Sequence, residues 1–164
     1  MLKKLFAWLP SFYEQARAKV EGGPLAPEIK GMVYFRDIPE GVVVSARITG
    51  LPEYRAADND NPVGPHGFHI HQVGDCTVSD PQNPFQEAGM HYDPDNQPHG
   101  NHAGDLPNLF SNHGCARMSV YTDRFKVEDI IGRAVIIHKH PNDFRTQPAG
   151  AAGPRLACGI IERI

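Results

Sequence analysis

Gly67-Phe68-His69-Ile70-His71-Gln72-Val73-Gly74-Asp75-Cys76 is the stretch around which the chain reads as organised. Side chains two apart on a strand share a face, so His69 and His71 aim both imidazoles at one place. Two imidazoles converging from one rigid strand make half of a metal site. A strand carrying two surface histidines has the same local pattern, so the rest of the chain decides between them.

At 164 residues the chain is expected to form one domain with a real core, residues 16–164, preceded by an N-terminal arm, 1–15. With 40% hydrophobic and 21% charged residues the composition is globular, and 16 Gly with 15 Pro predict many turns and few long helices. A formal net charge of −3 gives no electrostatic footprint for nucleic acid. No segment approaches the roughly 20 apolar residues of a membrane span. Met1-Leu2-Lys3-Lys4 has the basic start of an export signal, but the apolar run Leu5–Leu9 stops at Pro10, short of the usual length of about 7–15. That favours the cytoplasm, with export as the alternative. The three cysteines, Cys76, Cys115 and Cys158, form no Cys-x-x-Cys and argue against a thiolate zinc site. One disulfide plus one free thiol is the simplest pairing, and a disulfide sits poorly with a reducing cytosol.

Strands are expected at Ala16–Glu21, Ile29–Phe35, Val42–Ile48, the His-x-His run, Asp105–Phe110, Cys115–Thr122, Arg133–His138 and Leu156–Ile161. A short helix over Ser11–Val20 competes with the first of them. Asp105–Phe110 and Cys115–Thr122 read as a hairpin around Ser111-Asn112-His113-Gly114. Two long polar loops, 75–104 and 139–155, have almost no secondary-structure signal, and structureless loops of such length in a compact domain are usually functional. A third polar loop spans 52–66. The sum is an all-β, eight-stranded antiparallel sandwich or barrel.

Nine histidines are present, and seven lie between His66 and His113. His102-Ala103-Gly104-Asp105 sets a histidine and an aspartate three apart at the mouth of a strand. Zinc takes four tetrahedral ligands from imidazole or carboxylate, so His99, His102 and Asp105 lack one. Copper(II) favours a tetragonal set of imidazoles, so His69, His71 and His138 also lack one. His91 is left over. A deprotonated imidazole has two nitrogens and bridges two metals.

Gly67-Phe68-His69-Ile70-His71, His91, His99, His102-Ala103-Gly104-Asp105, Ile137-His138 and Gly153-Pro154-Arg155-Leu156-Ala157-Cys158-Gly159 together resemble the copper–zinc superoxide dismutase family, in family order, from about Ala16 to Ile161. The resemblance implies a Greek-key sandwich. It implies copper at His69, His71, His91 and His138, and zinc at His91, His99, His102 and Asp105. Arg155 is the expected guide for the superoxide anion, His91 the expected proton donor, and Cys76–Cys158 the expected disulfide. The expected reaction converts superoxide to dioxygen and hydrogen peroxide by alternating Cu(II) and Cu(I), zinc being structural. The alternative is a non-catalytic metal-binding protein of the same fold, which would be expected to lack a copper ligand or the arginine. A zinc hydrolase would need an open zinc position. The resemblance allows a homodimer, and a copper donor whose identity the sequence does not give.

The interval Gly100-Asn101 between His99 and His102 is compact, as in bacterial members. In the family an aspartate of the second loop joins a copper ligand to a zinc ligand. Asn142 stands at the matching offset with Asp143 beside it, and Asp143 is the expected link. His66 is expected in a loop, His113 exposed in a turn, and Cys115 buried in the core. Lys139 and His140 are expected on a solvated loop face, and Phe6 and Trp8 against the body or a second subunit.

Overall fold

In the computed structural model the described residues are 15–57 and 61–164, so the expected arm, apart from Gln15, lies outside them together with Phe6 and Trp8. Eight strands follow in order: β1 (Gln15–Gly22), β2 (Lys30–Ile38), β3 (Gly41–Thr49), β4 (His66–His71), β5 (Asp105–Leu109), β6 (Ala116–Thr122), β7 (Ala134–His138) and β8 (Arg155–Arg163). The first is a strand, not the competing helix. Ala16, Ala18 and Val20 alternate inward from it, and Val33, Phe35, Val42, Val44, Ala46 and Ile48 do the same from β2 and β3.

Every ladder is antiparallel, in the order β5-β4-β7-β8-β1-β2-β3-β6. Two crossovers, β3 to β4 and β6 to β7, give the Greek-key path. The sheet's two edges, β5 and β6, are consecutive in sequence, and the sheet curls into a nearly closed barrel.

This corrects the expected hairpin. Asn112 and Cys115 exchange both backbone hydrogen bonds, at 2.7 and 3.1 Å, and His113 and Gly114 take the left-handed conformations such a tight turn needs. Beyond the turn the strands part: β5 joins β4 and β6 joins β3. Cys115 is exposed rather than buried, because the inward parity of β6 belongs to Ala116, Met118 and Val120. His113 is exposed, as expected. A one-turn helix, α1 (Val127–Ile130), was not anticipated. It buries Val127 and Ile130, and Asp37 accepts a hydrogen bond from the Val127 N–H at 3.0 Å.

β4 and β7 are buried on both faces. Phe68, Ile70, Val135 and Ile137 fill the barrel. On the outside, Ala134, Ile136 and Cys158 pack with Phe85, Ala88 and Cys76 of the long loop. The Cys76–Cys158 disulfide crosses this second cluster. The loop thus has its own small core, including a short 3₁₀ turn, Gln86–Ala88.

The disulfide spans a sequence separation of 82, worth roughly 4–5 kcal/mol on the chain-entropy estimate. Cys76→Ala is expected to lower unfolding free energy by about 2–4 kcal/mol, measured by denaturant titration. Hydrogen exchange should rise over residues 76–90 before it rises in the barrel.

Candidate metal centre

Strand register assembles the site. His69 lies opposite Asp105 of β5 and Ile136 of β7, and His71 opposite Ala134. The loop returns to β4 at His91, which bridges to His71, while Tyr92 and Gly104 continue the backbone bonding through Ile70 at 2.8 and 2.9 Å. A Cβ on Gly104 would collide with the Ile70 carbonyl, so the approach that seats His102 and Asp105 beside β4 needs glycine there.

Two groups result. Ligand atoms of His69, His71, His91 and His138 all lie within 4.8 Å of one another, and so do those of His91, His99, His102 and Asp105. All the residues named from the sequence as metal ligands are therefore brought together, with His91 in both groups.

Hydrogen bonds sort the two nitrogens of each ring. His71 Nδ1 meets the Gly89 carbonyl at 2.9 Å and His138 Nδ1 the Gly153 carbonyl at 3.1 Å, leaving their Nε2 atoms facing each other at 3.4 Å. His91 Nδ1 donates to Asp105 Oδ1 at 2.8 Å. Asp105 Oδ2 accepts from the N–H groups of Gly100 and His102, at 2.9 and 3.1 Å. Four buried nitrogens keep no hydrogen-bond partner among the described residues: His69 Nδ1, His91 Nε2, His99 Nδ1 and His102 Nδ1. Such orphans are costly, and here they point into the two groups. Imidazole and carboxylate donors suit Cu(II) and Zn(II), so the residues fit both ions.

Burial lowers His69 and His71 well below the ordinary histidine value, with the neighbouring histidines adding to it, and burial pushes His138 down to about 3. Burial also lowers His91, against the pull of Asp105. Asp105 is raised by burial but held below its ordinary value overall by the hydrogen bond and charge of His91 and by His99 and His102. His69, His71, His91 and His138 are thus shifted toward the neutral form, the form in which an imidazole can bind a metal.

Arg155 lines a cleft of about 290 Å³ with His71, His91, His138, Met90 and Pro154. Its guanidinium donates to the Phe85 carbonyl and, at 2.6 Å, to the Gly89 carbonyl that also holds His71. A larger cavity, about 640 Å³, lies beside the disulfide, and none of its lining residues is a histidine.

Three expectations are corrected. Asn142, not Asp143, joins the groups: its Oδ1 lies 2.8 Å from His99 Nε2 and its Nδ2 2.9 Å from His69 Nε2. Asp143 instead caps its own loop, accepting from Arg145 N, Thr146 N and Thr146 Oγ1. His66 is no loop residue. It opens β4, fully buried, with Nδ1 3.0 Å from the His138 carbonyl and Nε2 3.3 Å from that of Pro52. His140 is half-buried against the Pro62 carbonyl at 2.9 Å, so it is not on a solvated face.

A histidine lowered by burial is neutral when folded and takes a proton more readily when unfolded. Its contribution is therefore intact above the ordinary value of 6.5 and lost as pH falls toward the folded value. Asp105, lowered likewise, adds a loss below its ordinary 3.8. The metal-free chain should lose stability steadily from pH 6.5 toward 3, read as a falling urea midpoint; a flat midpoint over that range would contradict the neutral rings.

The family description "Copper/zinc superoxide dismutase (SODC)" matches residues 29–161. The chain is 37% identical over 144 residues to a "Superoxide dismutase [Cu-Zn]" of Legionella pneumophila, covering 83% of this chain and 80% of that one. It is 33% identical over 154 residues to one of Deinococcus radiodurans, covering 84% and 79%. The solved Cu/Zn superoxide dismutase from Brucella abortus superposes with a TM-score of 0.72 at 30% identity, covering 91% of this chain and all of that one. Histidine clusters, Greek-key barrel and sequence agree: the chain belongs to the copper/zinc superoxide dismutase family.

Proposed function

We propose that this chain dismutes superoxide with copper held by His69, His71, His91 and His138, and zinc held by His91, His99, His102 and Asp105. The supporting observation is one buried ring that belongs to both groups: His91 turns Nδ1 to the Asp105 group and an unpartnered Nε2 to the other. Copper, when bound, supplies the one-electron couple that superoxide dismutation needs, which zinc lacks.

The chain's residues divide the remaining work. Gly89 and Gly153 hold His71 and His138 by Nδ1, so their Nε2 lone pairs face the cleft. Asp105 fixes the plane of His91, and Gly100 and His102 fix Asp105. His91 Nε2 is placed to hold a proton at the cleft and give it to the reduced substrate. Arg155 presents a fixed cation at the mouth and fits a small anion by charge-assisted hydrogen bonds. A purely carrier role is less well supported, since the four copper-side histidines are complete and three of them share the cleft with Arg155.

Metal analysis of the loaded chain should give about one copper and one zinc per chain by the site count. His91→Ala should remove the bridge signature in the copper spectrum and most activity; normal turnover in that variant would refute the shared ring. Arg155→Gln should cut the rate about tenfold or more, the worth of one charge-assisted contact, and flatten its ionic-strength dependence. Arg155→Lys should recover part of the salt dependence but less of the rate, because it keeps the charge and loses the planar fork.

A further inference from the structure

Asn142 is almost fully buried, and its amide sits between the outer nitrogens of one histidine from each group. The amide's orientation is fixed by Phe144, whose N–H donates to Oδ1 at 2.8 Å alongside His99 Nε2. Flipping the amide would set its NH₂ against Phe144 N–H and His99 Nε2 together. Its backbone is pinned too: Asn108 accepts from Asn142 N at 2.8 Å and donates to its carbonyl at 2.9 Å. Gly150 closes over the link, where a Cβ would collide with both Asn142 Oδ1 and His99 Nε2.

An amide presents one acceptor end and one donor end. The acceptor end suits His99, whose proton then sits on Nε2 and whose Nδ1 lone pair is the orphan facing the zinc-side group. The donor end meets His69 Nε2, so that nitrogen carries the lone pair and the ring's proton sits on Nδ1. His69 Nδ1 is also the orphan that faces the copper-side group. Coordination through that atom moves the proton to Nε2, where it confronts the hydrogens of Asn142. A carboxylate at 142 would accept from both rings.

We propose that Asn142 is a polarity-selective positioning residue: it presets His99 in the metal-binding tautomer and His69 in the opposite one, weakening copper relative to zinc. The inference rests on the copper and zinc assignment proposed above.

The test uses the full chain, zinc-loaded and copper-free, labelled with ¹⁵N. Long-range ¹H–¹⁵N spectra of the rings should show His69 as the Nδ1–H tautomer and His99 with its proton on Nε2. A proton on His69 Nε2 in this form overturns the proposal. Asn142→Asp should move the His69 proton to Nε2. It should also raise the ratio of Cu(II) to Zn(II) affinity about tenfold or more, the range expected when a donor–donor conflict is relieved. Both affinities are measured by chelator competition. The added charge lies one ring away from either cation and acts on both, whereas the change of polarity acts on His69 alone. An unchanged or lower ratio overturns the proposal. Failure of the underlying assignment shows separately, as a chain that takes up no zinc on these rings, and it removes the proposal with it.

Discussion

Six imidazoles and one carboxylate are buried within a few ångströms, and four of the ring nitrogens have no hydrogen-bond partner among the described residues. That constraint governs the rest of the structure. Burial favours the neutral form of His69, His71, His91 and His138, so these four do not repel one another as cations, yet neutral rings with free lone pairs are poorly satisfied in a dry interior. The arrangement is tolerable for a chain that meets cations there, and it has to be held by something stronger than the rings themselves.

The barrel supplies that hold by giving these side chains separate anchors. His69 and His71 are locked by the β4–β7 ladder, and His138 ends β7, the next strand over. Asp105 is the first residue of β5, facing His69. Only His91, His99 and His102 come from the long loop. That loop is tied down by the disulfide, by Phe85 and Ala88 packing on Ile136, and by backbone bonds to Ile70 and Gln72. Arg155 joins the same framework, since its hydrogen bonds to Phe85 and Gly89 end on the loop that also orients His71. Anchoring the loop therefore sets the Arg155 guanidinium and the His71 ring together.

What could be read from the sequence follows the range of the interactions involved. The period of two in β4 put His69 and His71 on one face, and ligand chemistry then left His91 as the shared ring; both are short-range or combinatorial arguments. The turn at His113-Gly114 was legible because its dihedral demands are local. The fate of the strands beyond it was not, because pairing with β4 and β3 is a long-range outcome. Parity decided two further cases. His66 has the parity of Phe68 and Ile70 and goes inside, while Cys115 lies one residue out of phase with Ala116 and stays outside. Helix α1 is a single turn, too short for a periodic signal.

The choice between Asn142 and Asp143 was beyond composition altogether. Asp143 carries the charge that a bridge between two ring N–H groups would favour, yet three local donors from Arg145 and Thr146 occupy its oxygens at the surface. Those bonds hold it down to about 2, with Thr146 the largest cause, so it is satisfied where it stands. Asn142 turns inward because Asn108 grips its backbone from both sides and Gly150 leaves room for its amide alone. A loop that caps itself with its carboxylate and sends its amide to the metal groups has separated two jobs that one aspartate could have done. The consequence falls on a single hydrogen atom of His69, and a buried hydrogen on the wrong side of a ring is enough to distinguish the two metal positions.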